Sequence, residues 1–128
     1  MNNEFGKFVE QKRLEQQISL RGFAEMVEIA PAYMSDIEKG HRPPPVSNLE
    51  ILNRIATKLK LSDKDRETMF DLAGKSKSIC SPDLPEYIMD ESRPDVRVAL
   101  RMARDMDADN DVWQEVIKIL EARKKRGE

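Results

Sequence analysis

Apolar residues recur at spacings of three and four along every long segment of this 128-residue sequence, and over no useful length do they alternate with period two. A helix buries one stripe of side chains at that spacing, whereas a half-buried strand needs alternation, so helices are the only regular structure the pattern supports. The expected class is all-α. A first helix spans roughly 3–16, with Phe5, Phe8, Val9 and Leu14 turned inward. Ser19 caps a second over Leu20 to Val27, its hydroxyl suited to an amide left unpaired in the first turn. Pro31 fits the first position of a third helix, where an N–H would have no partner, and Gly40 ends that helix in a left-handed turn.

The punctuation continues downstream. His41-Arg42-Pro43-Pro44-Pro45-Val46 must run extended, because prolines remove donors and restrict the residues before them. Ser47-Asn48-Leu49-Glu50 reads as a capping box that opens a stripe of Leu49, Leu52, Ile55, Ala56 and Leu59. Ser62, Asp63 and Asp65 start a fifth helix, and Gly74 is expected to stop it. Lys75 to Pro85 is poor in apolar residues and holds two prolines, so it reads as a linker between a domain over 1–74 and an extension over 86–128. In that extension Pro94 opens a helix with Val96, Ala99, Leu100 and Ala103 on one face. Asp109 or Asn110 caps another bearing Val112, Trp113, Val116, Ile117 and Leu120, which makes a C-terminal helical hairpin.

Charged residues make up 36% and aromatics 5%, a balance that suits a helical domain with a thin core rather than an enzyme with a deep pocket. No nucleophile, base and orienting group occur together and no glycine-rich phosphate loop is present, so no enzymatic activity is expected. The single histidine, His41, and single cysteine, Cys80, make neither a zinc site nor an internal disulfide. Oxygens recur at alternate positions in Asp105 to Asp111, as in a calcium loop. Such a loop would need glycine at Asn110 and glutamate at Val116, so these carboxylates are assigned to capping the last helix. No metal or cofactor is expected. No apolar run approaches the roughly 18 residues that cross a bilayer. The polar, acidic start Met1-Asn2-Asn3-Glu4 lacks the basic and then apolar order of an export signal, so no membrane contact and a cytoplasmic location are expected.

Between Leu20 and Ile37 the spacing is tighter than amphipathicity requires. Phe23, Val27, Ile29, Met34 and Ile37 are apolar, Ala24 is small, and two short helices are joined by about four residues. Helices crossing steeply through so short a turn need a small residue at their closest approach, which Ala24 supplies. The outer face of the second helix is then left to solvent, at a width a DNA major groove accepts. Ser19-Leu20-Arg21-Gly22-Phe23-Ala24-Glu25 and Ala30-Pro31-Ala32-Tyr33-Met34-Ser35-Asp36-Ile37-Glu38-Lys39-Gly40 resemble the helix-turn-helix of the phage Cro and repressor class, the Xre-like regulators. The resemblance covers residues 5 to 73 and implies a five-helix repressor-like domain.

It also implies roles. Base-edge contacts fall to Pro31, Ala32, Tyr33, Ser35 and Asp36 of the third helix, and phosphate contacts to Ser19, Leu20, Arg21 and the turn Lys39, Gly40, His41 and Arg42. A structural ion pair joins Arg13 to Glu38. The sequence departs from the family's common pattern at Leu20, where glutamine is frequent, at Glu28, where a turn glycine is frequent, and at Ala30, where a hydroxyl cap is frequent.

The net charge is −2. Residues 1–73 hold 11 Lys and Arg against 12 Asp and Glu, and residues 74–128 hold the same numbers. Neither half carries the basic surplus that phosphate binding favours, so DNA contact must come from a few placed cations, with two copies of the domain acting together. The resemblance therefore implies a repressor that binds double-stranded DNA as a homodimer. The apolar faces of the last two helices exceed what a short hairpin buries, which points to a dimer contact, an effector contact or a protein partner there, as in an antitoxin that grips its toxin.

Overall fold

The computed structural model, which describes residues 3–128, answers the helical spacing with eight helices and, among those residues, no strand. They are α1 (Glu4–Glu15), α2 (Leu20–Val27), α3 (Pro31–Lys39), α4 (Leu49–Lys58), α5 (Asp63–Ser76), α6 (Pro85–Ile88), α7 (Pro94–Asp105) and α8 (Asn110–Lys125). Two units divide between Glu86 and Tyr87. The fold is a five-helix repressor-like domain followed by a C-terminal helical hairpin.

In the first unit, α1 through α5 surround one apolar core to which Phe5, Phe23, Met34, Leu52, Ile55 and Phe70 contribute the largest side chains. α1 lies against α3 and α5, and α2 against α3 and α4. The helix ends follow local chemistry. The Ser19 hydroxyl accepts from the Gly22 amide at 3.0 Å, and Pro31 occupies the first turn of α3. Gly40 closes α3 at φ 81°, a left-handed turn that a Cβ would strain. At the end of α2 the same turn is made by Glu28, at φ 66° and ψ 43°.

Three sequence expectations are corrected. Leu14 is 57% exposed, and the neighbouring Arg13 takes the inward position. α4 is capped by Asn48 rather than Ser47. The Asn48 Oδ1 accepts from the Ile51 amide at 3.2 Å, while Glu50 pairs with Arg54 at 2.8 Å. Gly74 does not stop α5, which runs on to Ser76. A Cβ at Gly74 would lie 2.9 Å from the carbonyl oxygens of Ile79 and Cys80, so glycine there admits a backbone that doubles back. Ala24 is fully buried in the core, and a second close approach, which the sequence did not single out, lies at Gly6 where α1 meets α3. A Cβ at Gly6 would sit 2.4 Å from the Ile37 oxygen and 2.5 Å from that of Glu38.

The segment 77–84 then follows α5, with Pro82 buried and the Ser81 hydroxyl donating to Asp71 at 2.5 Å.

The second unit is organised around its α6–α7 turn. Asp90 accepts from the Ser92 amide and hydroxyl at 2.8 and 2.7 Å and pairs with Arg93, whose guanidinium lies 5.0 Å over the Tyr87 ring. The Ser92 hydrogen bonds, helped by Arg93, hold the Asp90 carboxyl below the ordinary carboxylate range. Arg97 donates to the Ile88 carbonyl at 2.6 Å. Arg93 and Arg97 thus brace their own unit. Asp109 caps α8 through the Asp111 and Val112 amides, and neither α7 nor α8 has a buried residue.

Candidate nucleic-acid interface

α3 is nine residues long and its two faces have opposite fates. Met34, Ile37 and Glu38 are buried, whereas Ala32 and Lys39 are exposed and Ser35 and Asp36 half-exposed. Ala32, Ser35, Asp36 and Lys39 are spaced by three, one and three, as the residues of a single helical stripe are, so one continuous face is left outward. Pro31 and Tyr33 are half-buried at its margins, and Tyr33 packs on the core.

What holds α3 in place is a buried ion pair. Arg13 Nε and Nη2 each donate to a Glu38 carboxylate oxygen at 2.8 Å, with side-chain exposures of 8% and 1%. The third nitrogen, Nη1, donates to the Ile18 carbonyl at 2.8 Å. One guanidinium therefore ties α1 to the loop before α2 and to the end of α3. Glu38 hydrogen bonding raises the Arg13 pKa above its ordinary value and fixes the charge.

Around the outer face the expected residues divide. Tyr33, Asp36, His41 and Arg42 come together. The Arg42 guanidinium stacks 5.5 Å over the Tyr33 ring and lies 3.9 Å from Asp36, and His41 Nδ1 is 3.7 Å from the same carboxylate. These contacts are long and solvent-facing, a geometry worth less than about 1 kcal/mol, so the Arg42 guanidinium is held only weakly by Asp36. The backbone of the turn is committed elsewhere. The Gly40 amide bonds the Ile37 carbonyl, and the His41 and Arg42 amides both bond that of Asp36. Only the side chains of Lys39, His41 and Arg42 are left to meet an anion. At the start of α2, Ser19 and Arg21 are exposed and Leu20 packs against the core. The Leu20 and Arg21 amides lie in the first turn, where no helical carbonyl reaches them.

Sequence reasoning missed the stacking of Arg42 on Tyr33, which joins a helix residue to a loop residue and leaves no periodic signal. It also missed Asn3, whose side chain lies against Gly6 and Gly40 and whose Oδ1 is buried without a hydrogen-bond partner.

Residues 9–62 match the family model described as Helix-turn-helix. A solved chain from a SinR protein/SinI protein complex aligns with 94% of this chain and 98% of its own length, at 21% identity and a TM-score of 0.47. A search of curated proteins finds no match. The capped α2, the left-handed turn at Glu28 and the seated α3 fall within the residues that the family model matches, so residues 9–62 form a helix-turn-helix similar to those of the Xre and Cro type.

Proposed function

We infer that the chain is a cytoplasmic, sequence-specific DNA-binding transcriptional regulator, a repressor that binds an inverted-repeat operator as a dimer. The domain over 1–74 reads DNA, and the extension over 86–128 pairs the copies. The observation that carries this reading is the outward stripe of α3, flanked by Lys39, His41 and Arg42 on one turn. Ala32, Ser35 and Asp36 suit base edges. A methyl meets a thymine methyl, and a carboxylate accepts from a cytosine amine but repels phosphate. With Tyr33 at the margin, part of the selectivity falls to DNA shape. Arg21 and the Lys39–Arg42 turn supply the phosphate contacts, and two-fold copies address half-sites about one helical turn apart.

A titration against an inverted repeat over a range of salt concentrations tests this. Lys39→Ala and Arg42→Ala should each weaken binding to every sequence and lower the slope of log K against log salt by about 1. Asp36→Ala should leave that slope in place and relax the base preference. Salt slopes unchanged in both cation variants would remove α3 from the DNA.

A further inference from the structure

His41 is the single histidine of the chain, and it stands on the turn whose side chains are left to meet an anion. Its Nδ1 lies 3.7 Å from one oxygen of the Asp36 carboxylate, and Arg42 Nε lies 3.9 Å from the other. Asp36 is the one acid on the outward stripe of α3, because Glu38, the other acid of that helix, is buried against Arg13. Lys39 is the remaining charge of the stripe. From α1, the Asn3 side chain lies against Gly40, and the adjoining Glu4 is paired with Lys75 of α5 at 3.2 Å. On α4, Glu50 is paired with Arg54 at 2.8 Å. Among the described residues Asp36 therefore has two basic partners, one always charged and one whose charge changes with pH.

A surface built this way meets a conflict at a phosphate backbone. When Arg42 turns to a phosphate, Asp36 loses that cation and faces a row of like charges at close range. A protonated imidazole at 3.7 Å compensates the carboxylate, and a neutral one does not. We propose that DNA binding draws a proton from solvent onto His41, which then neutralises Asp36 while Lys39 and Arg42 engage phosphate, so that affinity rises as pH falls from about 8 to about 6. The proposal rests on the DNA-binding reading above and adds a regulation of the same site. Its sign follows from linkage: if the duplex favours the protonated imidazole, the protonated protein holds the duplex more tightly by the same factor. With one histidine in the chain, no second imidazole produces or masks the effect.

Fluorescence anisotropy of the full chain with a labelled, mixed-sequence duplex of about 30 base pairs, at one fixed salt concentration, is the test. Wild type should bind about tenfold more tightly at pH 6 than at pH 8. His41→Gln should bind equally at both pH values, and a rise that persists in it would overturn the assignment to His41. Asp36→Asn should lose most of the pH dependence, since the carboxylate that favours the proton is gone. A full rise in that variant would mean that His41 meets a phosphate directly, and would overturn the role of Asp36. The two side chains are 68% and 41% exposed, so circular dichroism of each variant should match wild type at both pH values. Wild-type binding that weakens with added salt but is flat with pH would overturn this proposal alone. No salt-dependent binding at either pH would remove the regulator reading, and this one with it.

Discussion

A guanidinium and a carboxylate taken out of water lose hydration before they gain each other, so Arg13 and Glu38 add less to stability as a pair than either costs when left alone. Their value is positional. Glu38 closes the buried face of α3, and Arg13 holds it through two bonds of 2.8 Å while a third reaches the Ile18 carbonyl. Arg13→Ala should strand a carboxylate that is 1% exposed and cost about 3–5 kcal/mol in urea unfolding. Arg13→Met combined with Glu38→Leu should recover most of that loss, since apolar replacement of both partners removes the desolvation cost along with the attraction. If the single and double variants lose equally, the stability resides in the packing of the two stems rather than in the charge. Arg42 is the opposite case. Its contact with Asp36 is long and wet, so it adds little to folding and remains available to a phosphate.

At the scale of the helix, stability is decided at ends and crossings. Glu28 holds a left-handed backbone that favours glycine, and its contact with Arg54 is 3.7 Å from a carboxylate 75% exposed. Arg54 keeps the Val27 carbonyl and Glu50, both at 2.8 Å, without it. Glu28→Gly should therefore stabilise the first unit by about 0.5–1 kcal/mol, and a lowered urea midpoint would show that the pair with Arg54 matters more than the turn. Gly6→Ala should have the opposite sign and cost about 1–3 kcal/mol, because the new methyl meets backbone oxygens of α3 that cannot swing aside. These two positions show what the sequence discloses. Caps, prolines and glycine turns are local chemistry, so Ser19, Pro31, Gly40 and a cap at Asp109 or Asn110 were legible, whereas the turn at Glu28 was signalled only by the resemblance. The choice between neighbours was not legible. Adjacent residues differ by about 100° around a helix, and a stripe of period 3.6 tolerates either Leu14 or Arg13 facing inward until a partner decides. Asn48 and Ser47 can both cap, and α6 is too short to show a period. Gly6 is explained only by a carbonyl more than thirty residues away, and the Tyr33–Arg42 stack only by the path of the loop after Gly40.

For the molecule as a whole, near-neutrality sets the terms. With a net charge of −2 there is no general attraction to a polyanion, and one domain offers Arg21, Lys39, His41 and Arg42 beside the acidic Asp36. Each phosphate neutralised adds about 0.9 to the salt slope, so a single domain should show a shallow slope and weak binding, and two joined domains about twice the slope. Joining makes the second contact intramolecular, and effective concentrations then raise affinity by about 10²–10⁴ with no new contact to DNA. The full chain should thus prefer an inverted repeat over a single half-site by at least about a hundredfold. If the C-terminal helices join the copies as inferred above, Ile117→Glu, a charge on the exposed apolar face of α8, should abolish that preference while leaving half-site affinity and its salt slope untouched, because α3 is unaltered. Fluorescence anisotropy on the two DNAs, wild type beside Ile117→Glu, reads both quantities at once. A variant that loses half-site affinity as well would mean that α8 supports the DNA-reading unit directly, and one that keeps the inverted-repeat advantage would mean that the copies are joined through another surface.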